Sequence, residues 1–202
     1  MNDPECVMLA AGGSTRMSAW KMTLPLGTGT LAERSVATAL QVCARVVLVG
    51  GFRGEELHRA FQGRPQVTVV LNPDFERGML SSVQTGCQEV RSASFFLALA
   101  DMPLVAADTY RRLLRFATVE HPGVPVIIPQ HGGKKGHPLL LSAEARQRIL
   151  AASSGQTLRD VLRQVPNLVV PVDDPHVLQD VDTPEDYQAL LDAAAGERAV
   201  PR

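Results

Sequence analysis

The sequence predicts a three-layer α/β/α fold built on a mostly parallel sheet. Strand-like and helix-like stretches alternate through the first 118 residues. The runs Cys6–Ala10, Arg45–Gly51, Gln66–Leu71 and Phe95–Ala100 are continuously apolar, as strands covered on both faces read. Turn chemistry follows the carboxyl end of each run: Gly12-Gly13, Gly50-Gly51, Asn72-Pro73-Asp74 and Asp101-Met102-Pro103. Right-handed crossovers then place helices on both faces of the sheet. Ligands in such folds collect beyond the carboxyl ends of the strands.

Each element has a local reason. After the first strand, Pro25 keeps Leu24–Gly27 out of a helix interior. Thr30 with Glu33 reads as a capping box for a helix from Leu31 to about Val42. Leu57 and Phe61 share one face of a short helix over Gly54–Phe61. Leu80, Val83 and Cys87 form the stripe of a helix over Gly78–Val90. Phe95–Ala100 is the most hydrophobic strand and is expected at the sheet centre. Tyr110–Ala117 is expected helical, Val124–Ile128 a strand interrupted by Pro125, 131–136 a turn, and Pro138–Leu141 extended. Ser142 caps a helix over Ala143–Ala152, and Thr157 opens one to Gln164. Leu168–Val172 is extended. Thr183 and Pro184 start a last helix to about Ala195, followed by a frayed tail.

The chain has 202 residues, 45% of them hydrophobic and 20% charged, which fits one globular domain over 1–202. A net charge of −1 weighs against duplex nucleic acid as a partner. The acidic start, Met1-Asn2-Asp3-Pro4-Glu5, lacks the basic and apolar stretches of a signal peptide, and no run is long enough to span a bilayer. Cys6, Cys43 and Cys87 lie far apart and form no C-x-x-C, so they read as free thiols of a cytoplasmic protein rather than disulfide or zinc ligands.

The stretch with most chemistry is Val7-Met8-Leu9-Ala10-Ala11-Gly12-Gly13-Ser14-Thr15-Arg16-Met17, followed by Lys21. A buried strand runs into paired glycines, whose backbone can approach an anion closely. Arg16 and Lys21 add a planar fork and a point charge. This predicts a phosphate-binding loop for a nucleotide; the competing reading is a tight turn with solvated cations. The loop is neither a G-x-G-x-x-G nor a G-x-x-x-x-G-K-[ST] design. Asp101 follows a strand too apolar to hold a charge comfortably. It can bind Mg²⁺ at the crevice or cap its own turn. In Asp180-Val181-Asp182-Thr183-Pro184-Glu185-Asp186, alternation puts Asp180 and Asp182 on one side. Capping by Thr183 is compatible with metal binding by one Asp.

Four segments in register resemble the molybdenum cofactor nucleotidyltransferases, especially the molybdopterin cytidylyltransferase-like accessory proteins of molybdenum hydroxylases. They are Leu9–Met17 with Lys21, Ala100–Pro103, Gly133–Pro138 and Asp180–Asp186, and the resemblance covers nearly the whole chain with these segments in the right order. The resemblance implies a Rossmann-like, nucleotide-diphospho-sugar transferase-type fold, with a nucleotide-binding half at about 1–118 and an acceptor-binding half at about 119–195. It implies that Leu9, Ala10, Ala11, Gly12, Gly13, Ser14 and Arg16 hold the nucleotide. Lys21 would neutralise phosphate near the reacting centre, so Arg16, Lys21 and Asp101 form the catalytic set. Asn72, Ser81 and Ser82 would help bind the nucleotide. Asp101 with Asp180 or Asp182 would hold Mg²⁺. Lys135, Gly136, His137 and Pro138 would face a molybdopterin-type acceptor, while His137 also reads as a residue fixing the turn before Pro138.

Leu-Ala-Ala-Gly resembles the CTP-using branch, whereas relatives using GTP read Leu-Ala-Gly-Gly. The chain departs from the pattern at Ser18-Ala19-Trp20 and at Ser153–Arg159, where many cytidylyltransferases carry Gly-Asp-x-Gly-Ala-Arg. The implied reaction moves CMP from CTP to the acceptor and releases pyrophosphate, with a molybdenum hydroxylase as client. A GTP-dependent guanylyltransferase, a sugar-phosphate nucleotidyltransferase and a non-catalytic cofactor carrier are the alternatives. No Ser-His-Asp or Cys-His constellation and no dinucleotide fingerprint point elsewhere.

Overall fold

Seven strands in a row, with a two-residue eighth beside one of them, form the central sheet of the computed structural model, which describes residues 3–13, 17 and 19–199, with side chains to residue 194. In chain order they are β1 (Glu5–Ala10), β4 (Arg45–Gly50), β5 (Val67–Leu71), β6 (Ser94–Leu99), β7 (Val126–His131), β9 (Leu139–Ser142) and β10 (Asn167–Pro171). Three two-residue strands complete the set: β2 (Pro25–Leu26) pairs with β3 (Gly29–Thr30), and β8 (Lys134–Lys135) pairs with β7. The helices are α1 (Leu31–Ala39), α2 (Gly54–Ala60), α3 (Met79–Glu89), α4 (Ala107–Arg115), α5 (Ala143–Ala151), α6 (Leu158–Arg163) and α7 (Pro184–Ala199).

The order across the sheet is β10-β7-β9-β6-β1-β4-β5. The β1, β4, β5 and β6 pairings are parallel, as is β10 with β7, while β9 runs antiparallel between β6 and β7. The expected central place of the Phe95–Ala100 run is correct, because β6 is the fourth of the seven. Side chains alternate between two cores. Cys6, Met8 and Ala10 point to the layer shared with Val36, Leu57 and Leu113 of α1, α2 and α4. Val7 and Leu9 point to the layer with Val83, Cys87, Ile149 and Val161 of α3, α5 and α6. The three-layer expectation therefore holds. A smaller cluster of Leu26, Leu31, Val181 and Leu190 seats α7.

Capping signals hold in the structure. Thr30 and Glu33, and Thr157 and Asp160, form reciprocal capping boxes, and Ser142 accepts from the Ala145 N–H. Thr183 accepts from the Asp186 N–H at 3.2 Å, and Asp186 accepts in return from the Thr183 N–H at 2.8 Å. The three cysteines are free and buried.

Several boundaries differ from expectation. α1 ends at Ala39, because the chain must turn for the Ala44 N–H to reach the Pro4 carbonyl beside β4. Pro125 precedes β7 rather than interrupting it, and its carbonyl accepts from the Ser142 N–H. The expected turn over 131–136 is a hairpin: Gly132 and Gly133 take φ of 53° and 80°, so Lys134 can pair back onto His131. α7 runs to Ala199, beyond the expected end at Ala195. None of the helices in the described residues is long and apolar enough to cross a membrane.

Candidate active site

The carboxyl ends of β1 and β6 lie side by side, and both continue into loops. The Ala100 N–H donates to the Leu9 carbonyl at 3.0 Å, so the Asp101 turn starts beside the glycine loop. The Val181 N–H donates to the Asp101 carbonyl at 3.0 Å, which brings the 180–182 segment to the same place from the far end of the chain. On the other side, the Phe52 N–H donates to the Ala11 carbonyl at 3.3 Å. A Cβ on Gly51 would lie 2.6 Å from the Phe75 Cβ, so only glycine lets the β4–α2 turn sit this close.

These loops enclose a cavity of about 380 Å³. Of the residues expected to hold nucleotide or metal, Leu9, Ala10, Ala11, Gly12, Gly13, Lys21, Ser82, Asp101, Asp180 and Asp182 line it. Ser14 and Arg16 lie outside the described residues. Asn72 and Ser81 stand behind the lining. The Asn72 amide donates to Ser81 Oγ and Ser82 Oγ, both at 2.9 Å, and accepts from the Asp74 N–H at 3.0 Å. Asn72 thereby fixes the start of α3 and with it Ser82. Phe75, Gly78 and Met79 also line the cavity, and sequence reading did not single them out.

Lys21 is the centre of the charged end. It sits on a single 3₁₀ turn, Lys21–Thr23, and is buried. Its Nζ lies 2.5 Å from Asp101 Oδ2 and 2.7 Å from Asp182 Oδ1. Burial works against its charge, but the two carboxylates outweigh that and hold the ammonium above its ordinary pKa. Burial pushes the Asp101 carboxyl up; Lys21 pulls it down, Asp180 adds a further upward push, and the balance lies above the usual aspartate value. Asp101 Oδ1 is buried and has no hydrogen-bond partner among the described residues.

A second cavity of about 500 Å³ lies across Met79, which lines both. Lys135, Gly136 and His137 line it; Pro138 does not. Arg159 and Arg163, one turn apart on α6, join them together with Ile128, Leu139 and Leu158. The two arginines were not expected from sequence, although spacing by four residues on a capped helix is the signal that places them together. Gly136 is held against the 3₁₀ turn Pro175–Leu178: a Cβ there would lie 2.1 Å from the Val177 carbonyl oxygen. The His137 N–H donates to that same oxygen at 2.9 Å, and the His137–Pro138 bond is cis. Burial lowers the His137 pKa below its ordinary value, opposed by the Leu97 backbone and by the Asp101 and Asp180 charges, so the ring is neutral at pH 7. Its Nδ1 is buried without a partner among the described residues.

A mostly parallel α/β sheet carrying a glycine loop, a buried lysine and acidic groups at its strand ends defines a nucleotidyltransferase class of protein. The chain belongs to the MobA-like NTP transferase domain family, whose sequence profile matches residues 6–169. The molybdenum cofactor cytidylyltransferase of Escherichia coli (strain K12) is 34% identical over 187 residues, 93% of this chain and 95% of that one. Rv0371c from Mycobacterium tuberculosis H37Rv superimposes with a TM-score of 0.79 at 25% identity, covering 95% of this chain and 99% of that one. A nucleotidyl transferase from Methanothermobacter thermautotroptrophicus gives a TM-score of 0.83 at 24% identity, covering 98% and 100%. These likenesses agree with the nucleotide-diphospho-sugar transferase type of fold.

Proposed function

We propose that this protein transfers CMP from CTP to the phosphate of a molybdopterin-type acceptor and releases pyrophosphate. The observation that carries the reading is Lys21, clasped between Asp101 and Asp182 in a cavity whose other wall is the glycine loop. The 34% identical cytidylyltransferase supports the choice of reaction, and Ala11 in the cavity wall supports CTP over GTP.

In this reading the triphosphate lies along residues 9–13, and Lys21 faces the phosphates nearest the reacting centre. Among the described residues a Cβ at Gly12 would meet nothing within 4 Å, which supports room for an anion there. We assign Arg16 to the triphosphate as well, on the family resemblance of the Leu9–Met17 segment. An oxygen of the acceptor phosphate forms a bond to the α-phosphorus, and the bond from that phosphorus to the β-bridging oxygen breaks. The electron pair leaves with pyrophosphate. The acceptor oxygen is already ionised at neutral pH, so no general base is needed. The side chains contribute alignment and compensation of negative charge.

The residues fit Mg²⁺. Asp101 presents a buried carboxylate oxygen without a partner among the described residues, and Asp180 and Asp182 line the same cavity. Among the described residues no three His, Cys, Asp or Glu side chains are grouped to hold a metal by themselves. Mg²⁺ asks for only one or two carboxylates, taking its other ligands from phosphates and water. Bound between Asp101 and one of the other two, it would neutralise phosphate charge as a Lewis acid.

The acceptor belongs in the second cavity. Its apolar wall suits a flat heteroaromatic ring, and Lys135, Arg159 and Arg163 suit its anionic groups. We assign the nucleotide to the half before residue 119 and the acceptor to the half after it, and a molybdenum hydroxylase as the client of the product. The test is pyrophosphate release with Mg²⁺ and molybdopterin, comparing CTP, GTP, ATP and UTP, with Asp101→Ala as control. Release with CTP, lost in the variant, is expected. Release with GTP alone would overturn the choice of base, and no release with any nucleotide would overturn the reaction.

A further inference from the structure

Met79 is a large apolar side chain left 52% exposed at the first position of α3. A single exposed methionine is ordinary on a protein surface. This one is set apart by where it stands. It lines the nucleotide cavity with Phe75, Gly78 and Ser82, and it lines the second cavity with Ile128, His137 and Leu158. Its position is fixed from both sides. Gly78, at φ 101°, turns the chain from the 3₁₀ turn Phe75–Arg77 into α3, and the Asn72 amide holds Ser81 and Ser82 behind it.

We infer that Met79 is the wall shared by the two substrates, touched on one side by the nucleotide and on the other by the acceptor. The inference rests on the proposed function and adds a substrate-contacting residue to it. Lys21, Asp101 and Asp182 gather the charge of the first cavity, so the phosphates belong with them. The apolar side chains Phe75 and Met79 are left for the nucleoside. A thioether is flexible and polarizable, and it packs well against an aromatic ring. Both the base and a pterin-type acceptor present such a ring. When either substrate binds, the side chain loses rotamer freedom that the other substrate then need not remove.

The experiment measures steady-state turnover of the full chain, Met79→Ala and Met79→Leu, varying CTP and molybdopterin separately. The side chain is half exposed, so truncation leaves the fold intact; a melting curve matching that of the unsubstituted protein checks this. Met79→Ala is expected to raise both KM values about five-fold, the effect of losing a few tens of Å² of apolar contact on each side. The kcat stays within about two-fold, since no charge is removed. Met79→Leu restores both KM values, because it replaces the apolar volume. A rise in only one KM, or in neither, overturns the shared wall while leaving the proposed reaction standing. Absence of turnover in the unsubstituted protein overturns the reaction and the shared wall together.

Discussion

Lys21 Nζ and Asp101 Oδ2 meet at 2.5 Å, although 80 residues of chain separate them. They meet because β6 pairs with β1, so the two loops leave the sheet from neighbouring strands. The side chains are 8% and 15% exposed, which makes the pair largely desolvated. Removing one partner from such a pair strands the other's charge. Lys21→Met should therefore cost about 3 kcal/mol of stability in denaturant unfolding. Adding Asp101→Asn to the same chain should recover most of that loss. Both single variants should lower turnover by about 100-fold or more, and together they should lose far less than the product of their effects. Independent effects on turnover would show that the two do not act at one centre.

Gly12 and Gly86 should fail in opposite ways when given a methyl group. At Gly12 a Cβ finds nothing within 4 Å among the described residues, so Gly12→Ala should leave the melting temperature essentially unchanged. The methyl would occupy phosphate space, and the KM for CTP should rise about ten-fold or more. At Gly86, in the middle of α3, a Cβ would lie 2.4 Å from Val7 Cγ1 and 2.9 Å from Val49 Cγ2. There the gain in helix propensity is outweighed by overpacking against the sheet. Gly86→Ala should lose about 1–2 kcal/mol in denaturant unfolding. A stable Gly86→Ala variant would contradict the close packing of α3 on β1 and β4.

The scaffold was readable where the signals are local. Continuous apolar runs marked β1, β4 and β6, and Thr30 with Glu33 marked the start of α1, because both depend on neighbours in sequence. The glycine loop and Asp101 were readable because the ends of parallel strands share one edge. The grip of Lys21 on Asp182 was not, since it depends on a backbone hydrogen bond between residues 101 and 181. The antiparallel direction of β9 was hidden because a four-residue apolar strand carries no direction in its sequence. Phe75, Met79, Arg159 and Arg163 were missed for a related reason. Each reaches a cavity only through the docking of its helix or turn on the sheet, and no local pattern encodes that docking.

Arg159 and Arg163 should affect the acceptor and not the nucleotide. Both line the cavity that also contains Lys135 and His137, and neither lines the cavity around Lys21. Replacing either with Ala should raise the KM for molybdopterin about ten-fold, the effect of one lost charge-assisted contact. The KM for CTP should stay within about two-fold. The acceptor KM of the unsubstituted protein should climb with ionic strength, and less so in the variants. An equal rise in both KM values would place these arginines outside the acceptor site.

Glu5 gives the fold a defined acid limit. It is the first residue of β1 and is buried at the end of the sheet opposite the cavity. Its Oε2 accepts from the Arg91 and Ser92 N–H groups at 2.5 and 2.9 Å, and its Oε1 accepts from Arg45 Nε at 2.8 Å. Burial pushes its carboxyl up, but these donors and the Arg45 charge outweigh that and leave it below the ordinary value of 4.5. A carboxyl with a depressed folded pKa binds fewer protons folded than unfolded. Its stabilisation is fully present above the unfolded pKa and is lost as pH falls through the folded one. Unfolding free energy should therefore decline from about pH 5 downward. Glu5→Gln should be less stable at pH 7 and should show a flatter decline over that acid range. Parallel curves for the two proteins would show that Glu5 is not the group responsible.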